Sequence, residues 1–195
     1  GATPNVLVVN ASLPVNDMHE FIDYLRANPG RLSYGSAGQG SLTHLTMELF
    51  KQAVGAFVVH LPYRGIAPAF TDLLGGHVPA GVSLMDELIK HQKAGKLKVI
   101  GIFSDKRSEL MPEIPTFFEQ GYKVSSGDGW TAMWAPAKTP AAELERMQQA
   151  LQRVLAQPPV RDYLMSKLSV LPHYRNAQEM AQAQRDELST WNAIV

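Results

Sequence analysis

The amino-acid sequence predicts an α/β protein whose sheet is mainly parallel, and two observations carry this prediction. Short apolar runs that suit buried strands alternate with amphipathic segments that suit helices along most of the 195 residues. Turns that contain glycine or proline separate the two kinds of segment, because these residues end helices and permit tight turns. With 45% hydrophobic residues, the chain also has ample material for a core.

Most of the predicted strands are short apolar runs, which suits a sheet buried on both faces. The strands expected in the first two thirds of the chain are Asn5–Asn10, Leu32–Tyr34, Ala56–Leu61, Val78–Val82 and Leu97–Phe103. Because Pro79 has no backbone N–H, we expect its strand either to lie at a sheet edge or to begin there.

Helices between these strands are predicted from apolar residues spaced three and four apart and from their end signals. The helices are expected over 17–27, Leu42–Val54, Pro68–Leu74 and Met85–Lys93. Asn16 is the predicted N-cap of the first helix. Ser41 is the predicted N-cap of the second, which Gly55 ends.

The last third of the chain is predicted to be mostly helical, after an irregular stretch and a strand at Trp130–Trp134. Three helices are expected, at 140–157, at 158–168 and from 177 onward. Asn176 and Glu179 form a capping-box pattern at the start of the last helix. The residues expected to face inward are Leu144, Met147, Leu151, Val154 and Leu155 of the first of these helices, and Met180, Leu188 and Trp191 of the last.

The composition narrows the range of partners. Eighteen Lys and Arg residues balance eighteen Asp and Glu residues, so no charge is available to gather nucleic acid or to hold the chain on an anionic membrane. No apolar run approaches the roughly 18 residues that span a bilayer. The sequence has no cysteine, which excludes disulfides and thiolate metal sites, and no His-x-x-x-His pair. We therefore expect no metal and no cofactor.

Two predicted strand-to-helix junctions are the candidate binding elements, Ser36–Ser41 and Pro62–Ala69. A helix N-terminus presents unpaired N–H groups and the positive end of its dipole, so it attracts anions. Arg64 lies beside the second junction and could pair with a carboxylate through two hydrogen bonds. The junctions therefore predict a site for a small carboxylate or a phosphate.

Each of these features has a plainer interpretation. The glycine spacing matches neither a P-loop nor a dinucleotide fingerprint, so Ser36–Ser41 could be an ordinary turn. Arg64 could be a solvated surface residue, and Tyr63 either a pocket wall or a core ring. His44 and His60 are expected to be structural or hydrogen-bonding residues, and no Gly-x-Ser-x-Gly elbow supports a serine hydrolase.

Taken together, the motifs resemble those of the Bug family, also called TctC-like proteins, along essentially the whole chain. The residues that carry the resemblance are Tyr34–Gly38 with Gly40, Ser41, His44, Leu45 and Glu48–Phe50; Pro62–Gly65 with Ala67–Ala69 and Asp72–Gly76; Ala94–Leu97 and Arg107; Pro112, Pro115, Thr116, Glu119 and Gly121; and Trp130, Ala135, Pro136, Thr139, Pro140 and Trp191.

The resemblance implies a periplasmic-binding-protein-like fold with two lobes and a ligand cleft between them. It implies a periplasmic receptor that binds a small carboxylate, passes it to the membrane components of a tripartite tricarboxylate transporter, and performs no catalysis. By position, the residues implied to line the cleft are Ser36, Gly38, Gly40, Ser41, His44, Tyr63, Arg64, Gly65, Ala67 and Ser83.

The sequence departs from the family pattern in two respects. The N-terminal third of such receptors has no counterpart, so the first lobe is expected to be incomplete in this chain. We assign residues 10–127 to the second, ligand-binding lobe, and residues 1–9 and 128–195 to crossover strands and the remainder of the first lobe. Pro79 and Ser83 stand where many members carry aspartate, which favours a purely anionic or less polar acid over an amino acid.

Two rival functions stay open at this point. One is an enzyme that processes small acids on the same scaffold, which would need a base near Ser36 or Ser41, and His44 is the only candidate. The other is a sensory binding protein whose pocket serves a signalling partner. An incomplete lobe would also expose apolar surface, which predicts self-association.

Overall fold

The computed structural model describes residues 2–84, 88–109, 111–124, 126, 128–168, 170 and 172–192. Contacts between residues divide the chain into two compact units, residues 4–129 and residues 2–3 with 130–192. The strands are β1 (Ala2–Asn10), β2 (Ser33–Ser36), β3 (Val59–Pro62), β4 (Ala80–Leu84), β5 (Leu97–Ile102) and β6 (Asp128–Trp130). The helices are α1 (Met18–Ala27), α2 (Leu42–Val54), α3 (Ile66–Leu74), α4 (Leu88–Lys93), α5 (Ala141–Ala156), α6 (Pro158–Leu168) and α7 (Ala177–Trp191).

The α/β class is confirmed, and the sheet is mixed. Its strand order is β3-β2-β4-β1-β5, with β6 paired to β1. The pairs β2–β3 and β2–β4 are parallel, whereas β1 runs antiparallel to both β4 and β5. None of the described helices is both long and apolar enough to cross a membrane. The first three residues of the predicted helix Met85–Lys93, and the predicted lobe boundary at residue 127, lie outside the described residues.

Strand β1 lies in the middle of the sheet, which differs from its expected place with the other lobe. Val6 and Val8 contribute to the core on one face, and Leu7 and Val9 contribute to the core on the opposite face. Successive side chains of a strand point to opposite faces, so the continuous apolar run 6–9 needs cover on both sides. The helices on the two faces of the sheet supply that cover.

Pro79 was expected either to lie in an edge strand or to mark the start of its strand. In the structure it lies directly before β4, so the second alternative is correct. Its carbonyl accepts a hydrogen bond from the N–H of Asn10 at 2.9 Å, and the strand ladder begins one residue later at Ala80. Because the missing N–H of proline falls before the ladder, β4 can lie inside the sheet between β2 and β1.

The core of the larger unit forms on both faces of the sheet. Apolar residues of α1 and α2 pack on one face, and apolar residues of α3 and α4 pack on the other. The Phe50 ring lies at the centre of an aromatic group, with its centroid 6.0 Å from Phe21, 6.3 Å from Phe103 and 5.4 Å from Phe117. This core makes the larger unit the rigid support of the candidate site.

The ends of two helices test the predicted caps. Ser41 accepts a hydrogen bond from the N–H of His44, and Gly55 ends α2 in the left-handed conformation, as predicted. The N-cap of α1 is Asp17 rather than Asn16, because the Asp17 carboxylate accepts from the N–H of Glu20 at 2.9 Å. Either residue type can cap a helix, and the extended backbone one residue later decides between them.

The smaller unit contains α5, α6 and α7, and no described residue between 130 and 192 is fully buried. The predicted capping box of α7 is present, since Asn176 accepts from the N–H of Glu179, and the Glu179 carboxylate accepts from the N–H of Asn176. The side chains expected to face inward are covered only in part. Leu188 is 58% exposed, and Met147 and Val154 are exposed as well. The half-buried ones are Leu144, Leu151, Leu155, Met180 and Trp191. Local signals therefore form these helices without fully burying their apolar faces.

The predicted strand at Trp130–Trp134 also differs from the structure. The strand is β6 and ends at Trp130, where the predicted one begins. The indole N–H of Trp130 donates to both carboxylate oxygens of Glu187 at 2.9 and 3.0 Å, within the smaller unit. Trp134 is exposed. The apolar pattern of this segment suggested a buried strand, but the Trp134 side chain is not covered by another layer.

Candidate functional site

The three parallel strands bring the predicted site residues to one edge of the sheet. Gly35 of β2 pairs with Leu61 of β3 on one side and with Gly81 of β4 on the other. The carboxyl ends of parallel strands meet at the same edge, which is where open α/β sheets bind ligands. The turn 36–41, which we call the β2 loop, therefore lies beside the turn 62–65, which we call the β3 loop.

The two loops are joined by hydrogen bonds between their backbones. The N–H of Tyr63 donates to the carbonyl of Ser36 at 3.1 Å, and the N–H of Gly65 donates to the carbonyl of Ala37 at 3.0 Å. A side chain at Gly38 would place its Cβ only 3.0 Å from the Tyr63 carbonyl oxygen, and the φ of Gly38 is +133°. Only glycine allows this approach, so the predicted glycine has a clear structural role.

The β2 loop uses its own hydrogen-bond donors, which corrects the expectation that they are open to an anion. Four N–H groups of the loop and both of its serine hydroxyl groups have partners within it or in the first turn of α2. The donors are the N–H of Ala37 to Thr43 Oγ1 (3.0 Å), of Gly38 to Ser36 Oγ (3.1 Å), of Gly40 to His44 Nδ1 (3.2 Å) and of Ser41 to the Gly38 carbonyl (3.2 Å). Most donors of the loop are therefore used within the protein, and the Ser41 side chain caps α2.

The N-terminus of α3 is different, because no side chain caps it. Its N-cap is Gly65, with a φ of +109°, and the N–H groups of Ile66 and Ala67 donate to no other residue in the described part of the chain. Arg64 is exposed and forms no ion pair or hydrogen bond with a described residue. Free N–H groups next to an arginine are the arrangement that a carboxylate requires.

Ser83 lies in β4 rather than in a loop, and is only 3% exposed. Together with Gly35 and Ile66 it lines a cavity of about 10 Å³ between the sheet and α3, a volume that suits a single water molecule. Its hydroxyl forms no hydrogen bond with the described residues. Ser83 therefore places a neutral hydroxyl at a cavity that it shares with Ile66, the first residue of α3.

Tyr63 fixes the β3 loop to α3. Its hydroxyl donates to Asp72 Oδ2 at 2.7 Å, and this hydrogen bond, helped by partial burial and the negative charge of Asp72, raises the pKa of Tyr63 to about 12. The ring also touches the space beside Gly35, where an added Cβ would lie 3.3 Å from it. Tyr63 is thus a wall of the site that stays uncharged at any physiological pH.

A column of three stacked rings supports the β2 loop from behind. The His60 ring lies between Tyr34 and His44, with centroid distances of 4.9 and 4.1 Å. Tyr34 donates to the carboxylate of Glu48 at 2.9 Å, and burial followed by this contact raises the pKa of Tyr34. Burial, followed by the nearby His44, lowers the pKa of His60, so the surroundings favour a neutral imidazole at His60.

The enzyme alternative needed a base near Ser36, and the structure supplies His60 rather than His44. His60 Nε2 lies 2.6 Å from Ser36 Oγ, but the same oxygen also contacts the N–H and the carbonyl of Gly38. Ser36 is fully buried, so its hydroxyl is closed to a substrate. The pair holds the loop in place. No group of three histidine or carboxylate side chains among the described residues could hold a metal ion.

The sequence did not predict that His60 contacts Ser36 or that Tyr34 contacts Glu48. His60 reaches Ser36 because Tyr34 and His60 are paired in the parallel ladder, two residues before the β2 loop turns away. The only available signal was the polar His60 within an apolar strand. The strand register, which brings the residues together, cannot be read from either segment alone.

Comparison with known proteins is consistent with this architecture. The family model described as "Tripartite tricarboxylate transporter family receptor" (TctC) matches residues 1–195. A curated relative from Cupriavidus necator, "UPF0065 protein in gbd 5'region", is 33% identical over 97% of this chain and 57% of its own length. The chain thus spans little more than half of that relative.

Two solved structures from Rhodopseudomonas palustris share the fold. Rpa4515, solved with adipate, superposes with a TM-score of 0.91 at 27% identity and covers 99% of this chain and 64% of its own. MatC, solved with bound malate, superposes with a TM-score of 0.86 at 27% identity and covers 99% of this chain and 66% of its own. With the family model matching from end to end, the chain belongs to the tripartite tricarboxylate transporter receptor family, the TctC or Bug proteins.

Proposed function

We propose that this chain is the ligand-recognising part of a periplasmic receptor that captures a small carboxylate and delivers it to the membrane components of a tripartite transporter. Family membership supports the receptor role, and the relatives solved with adipate and malate support a carboxylate as the ligand. The receptor performs no chemistry on the ligand.

The observation that carries the proposal is the uncapped N-terminus of α3. Two N–H groups, of Ile66 and Ala67, lack partners among the described residues and lie next to the exposed guanidinium of Arg64. A carboxylate could accept both of these N–H groups and pair with Arg64. Gly65 carries no side chain that could obstruct the approach of the ligand.

The ten site residues then divide into two roles. Tyr63, Arg64, Gly65, Ala67 and Ser83 form the surface that meets the ligand. The residues that hold the β2 loop against this surface are Ser36, Gly38, Gly40, Ser41 and His44. The β2 loop therefore belongs to the site because it supports the ligand-facing surface, even though most of its own hydrogen-bond donors already have partners within the protein.

Ser83 narrows the class of ligand. A carboxylate at this position would pair with the amino group of an amino acid, whereas a neutral hydroxyl offers no such charge. The neutral hydroxyl of Ser83 therefore favours an acid without an amino group over an amino acid.

The first test is calorimetric titration of the chain with malate and with adipate. The Ala67→Pro variant removes one N–H from the second position of α3, where proline is tolerated because the N–H has no helical partner. Loss of a hydrogen bond to a charged group predicts an affinity about 10- to 100-fold weaker. The matched control is Ala142→Pro, which makes the same change at the second position of α5 and leaves affinity unchanged.

A second variant tests the arginine. Arg64→Gln is expected to weaken binding of either acid while leaving the thermal stability of the unliganded chain unchanged, since Arg64 is exposed and has no described partner. Equal affinity in the wild type and in both variants would place the carboxylate elsewhere. Binding of aspartate in preference to malate would overturn the role given to Ser83.

A further inference from the structure

We propose that His44 is a positioning residue that holds the turn of the β2 loop only while its imidazole is uncharged. Uptake of a proton by His44 would release Gly40 and loosen the wall of the site. The effect on ligand capture rests on the proposed function. The effect on the loop itself does not, and it can be measured without any ligand.

The geometry depends on a single contact. His44 Nδ1 accepts the N–H of Gly40 at 3.2 Å, and it is the acceptor for this N–H among the described residues. Gly40 is exposed, has a φ of +72°, and would have open space around an added Cβ. The other bonds of the loop hold Gly38, whose carbonyl accepts from Ser41. The tip of the turn therefore depends on the ring of His44.

An imidazole can accept at Nδ1 only when that nitrogen carries no proton. In the neutral ring the proton must then reside on Nε2, which lies 3.8 Å from the carboxylate of Glu48. In the doubly protonated ring both nitrogens are donors, so the Gly40 N–H would face another N–H. The hydrogen bond would be lost and the turn at Gly40 would move.

The charged and titratable groups around His44 come from three elements. His60 of β3 is stacked on it at 4.1 Å, and Tyr34 of β2 lies beyond His60. Glu48 of α2 faces Nε2 and is itself held by Lys51 at 2.8 Å and by the Tyr34 hydroxyl at 2.9 Å. Glu48 is thus already paired with two partners other than His44.

The consequence is a site that is ordered at neutral pH and loosened in mild acid. Imidazole side chains as a class take up a proton between about pH 5 and 8. The β2 loop is tied by backbone hydrogen bonds to the β3 loop, so a shift at Gly40 disturbs the backbone beside Arg64. Acidification should therefore weaken the capture of the carboxylate.

The test compares three proteins by amide hydrogen exchange of Gly40, expressed as protection factors so that the intrinsic pH dependence cancels. His44→Asn keeps an oxygen acceptor at the place of Nδ1 but cannot take up a proton at these pH values. His44→Leu removes the acceptor at every pH. In the wild type we expect the protection of Gly40 to fall about fivefold between pH 7.5 and 5.5. His44→Asn should stay protected at both pH values, and His44→Leu should be unprotected at both.

Malate binding at the same two pH values provides the second readout. Affinity should fall about fivefold in the wild type and stay constant in His44→Asn, which corrects for titration of malate itself. If no malate binds at pH 7.5, the proposed function fails while the exchange result still decides the role of His44. Equal protection of Gly40 in the wild type and in His44→Asn at pH 5.5 would overturn the proposal, and so would protection retained in His44→Leu.

Discussion

The two units of this chain show how differently helix formation and burial are encoded. In the larger unit, α1 to α4 cover both faces of a sheet, and their apolar side chains form two core clusters. In the smaller unit, α5 and α7 have the same kind of amphipathic pattern, yet none of their described residues is fully buried. Caps and periodicity are local and suffice to form a helix. Burial needs a partner layer, and in the described residues only the larger unit has one.

The largest difference is expected for removal of a central side chain from each unit. Phe50→Ala deletes a fully buried ring that contacts three other aromatic rings. We expect the free energy of unfolding to fall by about 3–5 kcal/mol. Leu188→Ala, in the exposed face of α7, should change it by less than about 0.5 kcal/mol. Urea denaturation of both variants measures this contrast, and equal losses would mean that the face of α7 is covered in solution.

A smaller contrast is expected when a side chain is enlarged. At Gly101 of β5 an added Cβ would lie 3.0 Å from the Phe117 ring, which is itself stacked on Phe103 at 4.2 Å. Gly101→Ala should cost about 1–3 kcal/mol of unfolding free energy through overpacking. Ala150→Leu, on the exposed surface of α5, should cost almost nothing. Adding Phe117→Leu to Gly101→Ala should recover part of the loss if the ring is the obstacle.

The smallest effect concerns pH. Because burial lowers the folded-state pKa of His60, the unfolded chain binds a proton there more readily than the folded chain does. The stability from neutral His60 is fully present above the ordinary histidine range near pH 6.5, and is lost as pH falls toward the lowered value. His60→Gln should flatten the stability profile between pH 7 and 5.5. His173→Gln, which changes an exposed histidine of the smaller unit, should leave the profile unchanged.

Glu48 should act in a separate and lower pH window. Burial opposes its ionisation, but hydrogen bonds from Lys51 and Tyr34 outweigh burial and lower its pKa below the model-compound value of 4.5. Its contribution to stability is therefore present above that value and is lost as pH falls below it. Glu48→Gln should lower stability by a constant amount above about pH 4.5, remove part of the acid-induced loss below it, and leave the slope of the His60 window unchanged. A single merged transition would contradict this separation.

The sequence predicts those features whose signals are local. Ser41 and Gly55 as the ends of α2, and the capping box at Asn176, follow from a few neighbouring residues and are confirmed. The central position of β1 and the contact of Ser36 with His60 depend on strands distant in sequence, so no short segment contains them.

The candidate site shows the same division. Its two loops could be located from their glycines and from the strands before them, because strand-to-helix turns have recognisable signals. Which donors of the β2 loop have partners could not be predicted, since that depends on where the side chains of Thr43 and His44 turn. The inward faces predicted for α5 and α7 are only partly buried, for a related reason. An apolar stripe shows which side chains a helix can bury, but it does not show whether another helix or sheet is present to cover them.

The bonds from Tyr63 to Ser36 and from Gly65 to Ala37 connect backbone to backbone. No side chain takes part in these two hydrogen bonds, which set the spacing of the two loops and form the backbone frame of the site. Most substitutions on the surface of the loops should therefore leave this frame unchanged. Residues such as Arg64 and Ala67 can therefore change while the frame persists. A protein engineer could exploit this property by grafting new residues onto an unaltered backbone to convert the scaffold into sensors for other organic acids.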